Sequence, residues 1–220
     1  MNIKTTIVTF PDVRISRSEL HKIRGFFSTK YIENDLIHNH NGEKFIHRYP
    51  AVQFKLINNI LSIYSYTTGT EDVFKDIFLT EYTLDIEDKK YNINEKQIEV
   101  KQLDLCDSAE YNKYEFYSPW IALNQKNFEE YMILKFQDDK DAKMKSIVVQ
   151  NIISVSKFAG YTIQNKLEVK DLNLKPLMVN LKGMEILAFK GDFKINFILP
   201  DYIGLGKSVS RGYGNVRKVK

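Results

Sequence analysis

Three of the four histidines in this chain of 220 residues, His38, His40 and His47, lie within ten positions. Histidine is the side chain whose unperturbed pKa lies nearest to neutrality, so it can accept or donate a proton at physiological pH. The cluster therefore admits three hypotheses: a proton-transfer site, a metal site, or polar residues that share a solvated loop.

A metal site would need further ligands at a suitable spacing. A His-x-His pair with a third histidine offers nitrogen atoms that a transition metal accepts. Asp35 and Glu43 lie nearby, but no carboxylate or cysteine completes a familiar ligand spacing. We therefore expect no metal and no cofactor. A solvated loop would explain a lone histidine well, and it explains three in ten residues less well.

The elements before the histidines are predicted from spacing. Residues 4–10 alternate as a strand does. Ser16 and Glu19 have the spacing of a capping box, in which each side chain satisfies a backbone N–H group at a helix start. The apolar residues that follow recur every three or four positions, as one buried stripe of a helix does: Leu20, Ile23, Phe27 and Tyr31. We expect this helix to end near Asn34.

After the histidines the predicted order is strand, strand, helix, strand. Residues 48–57 and 60–67 read as two strands joined by a tight turn at Asn58 and Asn59. Thr70 can cap a short helix, and residues 82–86 and 98–105 form further strands. The whole unit follows the order β-α-β-β-α-β, which is the ferredoxin-like arrangement with helices on one face of an antiparallel sheet.

A second unit is predicted to begin near residue 110. Asn124 can cap one helix, and Gly160 can end another that spans 143–159. The unit also contains extended segments at 116–123, 166–171, 176–182 and 185–199. The predicted fold class is therefore α+β, with domains at 1–110 and 111–220.

The composition is that of a folded protein. The chain is 43% hydrophobic and 27% charged, so it has enough apolar residues for a buried core. The single Cys106 permits no internal disulfide, which fits a reducing compartment. No window approaches the roughly eighteen apolar residues of a membrane span, and the N-terminus lacks the apolar run of a signal peptide. We expect a cytoplasmic protein without a membrane partner.

The C-terminal end carries an excess of positive charge. No acidic residue follows Asp201, whereas five basic residues do: Lys207, Arg211, Arg217, Lys218 and Lys220. A local excess of this kind suggests a polyanionic partner, although a solvated basic tail is an equal alternative.

The same end is rich in glycine, since four of the chain's ten glycines lie in GLGKSVSRGYG at 204–214. The segment is not a P-loop, which would need glycine in place of Asp201, nor a dinucleotide fingerprint, which would need glycine in place of Val209. Two interpretations stay open. The segment is either a Gly-rich turn between strands or a flexible loop whose N–H groups, with Lys207 and Arg211, meet nucleic-acid phosphates.

GLGKSVSRGYG resembles the C-terminal signature of the CRISPR-associated repeat-RNA endoribonucleases of type I systems, which belong to the RAMP superfamily. Residues 20–50 and the stretch YSPWIALN at 117–124 resemble other parts of one branch of that family, so the similarity covers nearly the whole chain. The resemblance implies two tandem ferredoxin-like (RRM-like) domains, the first with catalytic histidines and the second with the Gly-rich loop. It implies that RNA binds at Gly204, Gly206, Lys207, Arg211, Gly212 and Gly214.

The resemblance also implies metal-independent cleavage of precursor CRISPR RNA within its repeats, leaving a 2′,3′-cyclic phosphate and a 5′-hydroxyl. Family members place a catalytic histidine after the first helix, where this chain has His38 and His40, and Lys30 matches a lysine that assists. Tyr49 and His47 are reserve participants. The implied partners are CRISPR repeat RNA and other subunits of a CRISPR effector complex, and both a monomer and a homodimer fit.

These residue types suit that reaction. A base must remove the proton of the RNA 2′-hydroxyl and an acid must protonate the leaving 5′-oxygen, and each positioned transfer accelerates the step by about 10²–10⁴-fold. If residues 38–40 are extended, the imidazoles of His38 and His40 lie on one side, about 7 Å apart. The sequence does not decide which is the base. Lys30 lies at the edge of the apolar stripe, where its ammonium can stabilise charge on the phosphorane oxygens.

An alternative of another class is an RNA-holding subunit of a CRISPR effector complex that performs no chemistry. It would explain the basic Gly-rich segment equally well. It would not explain the clustered histidines with a lysine nearby, so we favour the endoribonuclease.

Overall fold

A computed structural model describes the backbone of residues 1–38, 40–41, 44–45 and 48–219 and the side chains of residues 1–37 and 48–219. This part of the chain divides into two compact units. The N-terminal unit contains Ile3–Leu103 together with Ser210–Gly212, and the C-terminal unit contains most of the remainder, including Asp104–Val209. Within these residues no helix is both long enough and apolar enough to cross a membrane.

The N-terminal unit places helices on one face of a four-stranded sheet with the strand order β4-β5-β1-β8. The β-α-β-β-α-β order predicted from the sequence is confirmed. Its elements are β1 (Asn2–Phe10), α1 (Leu20–Lys30), α2 (Asp35–His38), β2 (His40–Asn41), β3 (Lys44–Phe45), β4 (Val52–Ile57), β5 (Ile60–Ser65), α3 (Glu71–Thr80), β6 (Thr83–Ile86), β7 (Lys89–Asn92) and β8 (Gln97–Asp104).

Local signals in the sequence set several of these elements. The backbone N–H of Ser16 donates to the carboxylate of Glu19 at 2.9 Å, and a short 3-10 turn leads into α1. Asn58 and Asn59 have φ angles of +51° and +60°, which a two-residue hairpin turn requires, and they join β4 to β5. The apolar stripe of α1 is buried in one core together with residues of α3 and the sheet.

Other boundaries differ from the prediction. Helix α1 ends at Lys30 and not near Asn34, because Tyr31 leaves the helical region with ψ +44°. Asn34 starts the next helix instead, since its side-chain oxygen accepts the N–H of Leu36 at 3.1 Å. Thr70 lies at the N-cap of α3, but its side chain accepts no backbone N–H there, and its hydroxyl donates to Ser65 Oγ at 2.9 Å.

The C-terminal unit repeats the strand order, as β10-β11-β9-β12. Asn124 caps its first helix through the N–H of Asn127 at 2.7 Å, and Gly160 follows its second helix with φ +79°, as predicted. Between β11 and β12 the chain runs through the Gly-rich segment where the N-terminal unit has a helix. Its elements are β9 (Cys106–Phe116), α4 (Gln125–Ile133), α5 (Gln137–Phe158), β10 (Val169–Leu181), β11 (Met184–Ile198) and β12 (Val216–Lys218).

The prediction from the sequence was wrong for three parts of this unit. Strand β9 was missed because its residues are mostly polar, and its pairing with β11 and β12 makes it a strand. The expected strand at 116–123 contributes only isolated bridges, at Trp120 and Ile121. The two expected strands around Pro176 are one strand, β10, which tolerates a proline because it lies at the edge of the sheet.

Candidate functional site

Lys30 is the last residue of α1, and its ammonium lies 2.6 Å from Oε1 of Glu81. The two side chains differ in exposure, since Lys30 is 45% exposed and Glu81 only 1%. A buried carboxylate is stable only when a cation or hydrogen bonds compensate for its lost hydration. The pair therefore holds the Lys30 ammonium at one position while one side of it meets solvent.

Two neighbours complete the surroundings of Glu81. The Tyr31 hydroxyl lies 3.0 Å from Glu81 Oε1 and 2.7 Å from Asp76 Oδ2, and it shares its single proton between these carboxylates. Burial, followed by the two acceptors, raises the pKa of Tyr31 above its usual range. Lys96 donates to the backbone oxygen of Glu81 at 2.8 Å. We name Lys30, Tyr31, Asp76, Glu81 and Lys96 the Glu81 cluster.

The sequence analysis did not identify Glu81 as part of a site, although a signal was present. Glu81 follows Ile77 by four residues, so it continues the apolar stripe of α3 beyond the end of the helix. A carboxylate at such a position is buried on folding and needs a partner.

Tyr49 lies beside two other tyrosines of the same unit. Its ring meets Tyr66 edge to face with centroids 6.1 Å apart, and Tyr66 stacks on Tyr64 at 6.4 Å. Burial, with a smaller contribution from Tyr64, raises the pKa of Tyr49 above its usual range. The Tyr49 hydroxyl therefore keeps its proton at neutral pH, so it can donate a hydrogen bond but cannot act as a general base.

The histidines themselves lie partly outside the described residues. His38 is the last residue of α2 and His40 the first of β2, and their side chains, like all of His47, are not among those described. The condition of an extended backbone at residues 38–40 is not met at His38, because that residue is helical. The relative placement of the two imidazoles stays a prediction.

The chain on both sides of the histidines is fastened by an ion pair. Arg48 Nη1 donates to Asp35 Oδ2 at 2.9 Å, and its other terminal nitrogen donates to the Asp35 backbone oxygen. Asp35, one of the two carboxylates near the histidines, therefore has a partner. Among the described side chains no group of three or more His, Cys, Asp and Glu residues could hold a metal ion, but the clustered histidines are outside that set.

The Gly-rich segment is packed and hydrogen-bonded, unlike the flexible loop that was one of the two interpretations. The N–H groups of Leu205, Lys207 and Gly214 donate to carbonyl oxygens of Gly214, Ile121 and Pro119 at 2.8–2.9 Å. These three N–H groups are therefore not available to phosphates. The finding supports the turn between strands, and RNA binding by Lys207 and Arg211 stays a prediction.

At two glycines of the segment, Gly206 and Gly214, a neighbouring ring or backbone lies too close to leave space for a side chain. A Cβ on Gly206 would lie 2.6 Å from Trp120 Nε1, and one on Gly214 would lie 1.9 Å from the Leu205 oxygen. Both residues also have positive φ, at +86° and +67°. Their direct role is thus structural, and Gly204, Gly206, Gly212 and Gly214 as contacts of RNA stay predictions.

The basic C-terminal end is only partly available to a polyanion. Lys207 is exposed. Arg217 donates twice to Glu115 Oε1, at 2.9 and 2.5 Å, and lies 5.0 Å from the centre of the Tyr117 ring. The charge of Arg217 is therefore already neutralised within the C-terminal unit.

Comparisons with known proteins agree over the whole chain. Two family models match: the Cas6b N-terminal domain over residues 1–104 and the Cas6b C-terminal domain over residues 106–219. An uncharacterized protein of Methanocaldococcus jannaschii is 37% identical over 145 residues, which are 66% of this chain and 98% of that protein.

Solved structures show the same similarity. A crystal structure of Cas6b superposes with a TM-score of 0.92 at 35% identity, and one of the CRISPR RNA processing endoribonuclease Cas6b with 0.81 at 32%, each covering 100% of both chains. A RAMP protein that binds different RNA substrates shares the fold, with a TM-score of 0.57 at 13% identity over 100% of both chains.

We predict that Gly214→Ala destabilises the protein far more than Gly183→Ala. Both glycines have positive φ, but a Cβ on Gly183 would meet open space. Gly183→Ala should lower the free energy of unfolding by about 1 kcal/mol and Gly214→Ala by about 3 kcal/mol or more. Urea unfolding of the two variants measures the difference. Equal losses would show that the contact with Leu205 is not a constraint.

Proposed function

The chain belongs to the Cas6b family of CRISPR RNA processing endoribonucleases, and on that premise we propose that it cleaves precursor CRISPR RNA within the repeats without a metal ion. The 2′-hydroxyl of the RNA attacks the adjacent phosphorus, the bond from phosphorus to the 5′-oxygen breaks, and the products carry a 2′,3′-cyclic phosphate and a 5′-hydroxyl. Residues 1–110 supply the chemistry, and residues 111–220 contribute the Gly-rich segment to RNA binding.

His38 and His40 transfer the protons in this proposal. One imidazole takes the proton of the 2′-hydroxyl and the other gives a proton to the departing 5′-oxygen, so no net proton is consumed. Their position supports the roles, because His38 ends α2 and His40 begins β2, on a segment whose ends the Arg48–Asp35 ion pair holds together.

Lys30 stabilises the negative charge that grows on the phosphorane oxygens. The observation that supports this role is the ion pair with buried Glu81. The pair fixes the ammonium, while the Lys30 side chain stays 45% exposed. A cation that is already in place before the reaction need not move as the negative charge develops, so no free energy is spent on reorganisation. Tyr49, whose hydroxyl keeps its proton, donates a hydrogen bond to the same group of oxygens.

A second candidate function is an RNA-binding subunit without chemistry. The Lys30–Glu81 ion pair favours it in one respect, because the pair already gives Lys30 a structural reason to be there. The measurements below separate the two functions.

We predict that His38→Ala and His40→Ala each slow single-turnover cleavage of a repeat RNA by about 10²-fold or more. The affinity for RNA should change little, because the two imidazoles act on the moving protons and carry only one positive charge between them. The double variant should be only slightly slower than the slower single variant, since groups that act as a unit are not additive. Cleavage within about threefold of wild type in both single variants would make the histidine cluster incidental and move the chemistry to Lys30, Tyr49 and His47, whereas a wild type that binds repeat RNA without cleaving it would assign the chain to the binding function.

We predict that cleavage continues in excess EDTA. The expectation follows from a mechanism in which side chains move both protons and Lys30 stabilises the charge. The rate is measured with RNA whose folding is kept constant by monovalent salt. Loss of activity that only a divalent ion restores would contradict the proposed mechanism.

We predict that stability and cleavage respond differently to changes at Lys30. Lys30→Met leaves the Glu81 carboxylate buried without its cation, which should lower the free energy of unfolding by about 3 kcal/mol. Adding Glu81→Gln removes that charge while keeping an acceptor for Tyr31, so the melting temperature should recover. If Lys30 acts in the reaction, the double variant still cleaves about 10²-fold more slowly than wild type. A double variant with the wild-type rate would make the ion pair purely structural.

A further inference from the structure

The segment Ser210–Gly212 belongs to the N-terminal unit, where it lies against the start of α1 and against β4. Gly212 has φ +80°, and a Cβ there would lie 2.4 Å from Leu20 Cδ1 and 3.1 Å from the Phe54 oxygen. Arg17 Nη1 donates to the Gly212 oxygen at 2.7 Å. The neighbouring Arg211 is therefore held at a defined place beside the helix.

Arg24 lies on the same side of α1 as this contact, because it follows Leu20 by one helical turn. Its side chain is partly buried, as is that of Arg211. Burial lowers the pKa of Arg24 and the charge of Arg211 lowers it further, whereas burial alone lowers the pKa of Arg211. Because Gly212 packs against Leu20, one turn before Arg24, two like charges that are partly removed from water lie close enough to repel each other.

Neither arginine has a counter-charge among the described side chains, where no carboxylate oxygen lies within 4.0 Å of either guanidinium. Other arginines of the chain do have one, since Arg48 pairs with Asp35 and Arg217 with Glu115. A like-charged pair with reduced hydration costs free energy in the unbound protein. Such an arrangement fits a site whose anion arrives from outside.

We propose that Arg24 and Arg211 together bind one phosphodiester group of the RNA, an inference that rests on the proposed function. The planar guanidinium presents two parallel N–H groups that match two phosphate oxygens, and two such groups can hold one phosphate from two directions. Arg17 positions the site by fixing Gly212. This adds a residue of α1 to the proposed RNA-binding surface. The only sign of it in the sequence is a charged residue, Arg24, four positions after the buried Leu20.

The test uses Arg24→Gln and Arg211→Gln, with Lys75→Gln on α3 as a control that removes one exposed positive charge of the same unit. The probe is a repeat RNA with 2′-O-methyl groups throughout, which lacks the nucleophile and stays intact. Each arginine variant should bind about fivefold to twentyfold more weakly at 0.1 M salt, and its slope of log affinity against log salt should be shallower by about 0.7. Lys75→Gln should change neither quantity.

A second arm asks whether both arginines meet the same phosphate. A series of RNAs carries one neutral methylphosphonate at successive positions. At one position the substitution should weaken binding to the wild type about as much as either glutamine change does. It should have no further effect on Arg24→Gln or Arg211→Gln, because the lost contact is shared.

A third arm measures the melting temperature of the free proteins. Removing one of two neighbouring like charges should leave it unchanged or raise it, whereas loss of a merely structural arginine should lower it. Unchanged affinity and salt slope in both arginine variants, or weaker binding that only accompanies a lower melting temperature, would overturn this inference and leave the proposed function standing. A wild type that neither binds nor cleaves repeat RNA would overturn both.

Discussion

Burial of the Glu81 carboxylate is the constraint on which the candidate site depends. The group is removed from water at the end of α3, so a cation and hydrogen-bond donors must be supplied by other elements. Lys30 and Tyr31, at the end of α1, provide them, and Lys96 binds the backbone of the same residue. One carboxylate thus fixes the end of the helix that precedes the histidines.

Charged groups of the N-terminal unit differ in whether the unit itself supplies their counter-charge. Glu81, Asp35 and Glu19 have their counter-charges within the unit, and Lys89 together with Ser16 lowers the pKa of Glu19 to about 2. Arg24 and Arg211 have no counter-charge among the described side chains, and the charge of Arg211 lowers the pKa of Arg24. Charged groups that stabilise the fold have their counter-charges in the free protein. The charges of a binding site, by contrast, meet their counter-charge only when the ligand binds.

The glycines of the 204–214 segment have a physical explanation that does not require a ligand. They stand where the backbone has positive φ and where a ring or another strand comes too close for a Cβ, as at Gly206 beside Trp120. The segment lies between β11 and β12, where a ferredoxin-like unit has its second helix. A signature rich in glycine can therefore mark a binding surface although the glycines themselves serve the packing.

The sequence by itself determined the features that depend on neighbouring residues. The Ser16–Glu19 cap, the Asn58–Asn59 turn and the order of elements in the first unit were readable because each arises from contacts within a few positions. The resemblance of the Gly-rich signature gave the family. The positions of the histidine imidazoles stay a prediction.

Only the tertiary structure decided the partners of charged residues and the strands without an apolar pattern. Strand β9 is polar and becomes a strand through pairing with β11 and β12. The ion pair of Glu81 with Lys30 and the electrostatic repulsion between Arg24 and Arg211 join residues far apart in the chain. Local propensity carries no information about such pairs, because the free energy that selects them arises only when folding removes both groups from water.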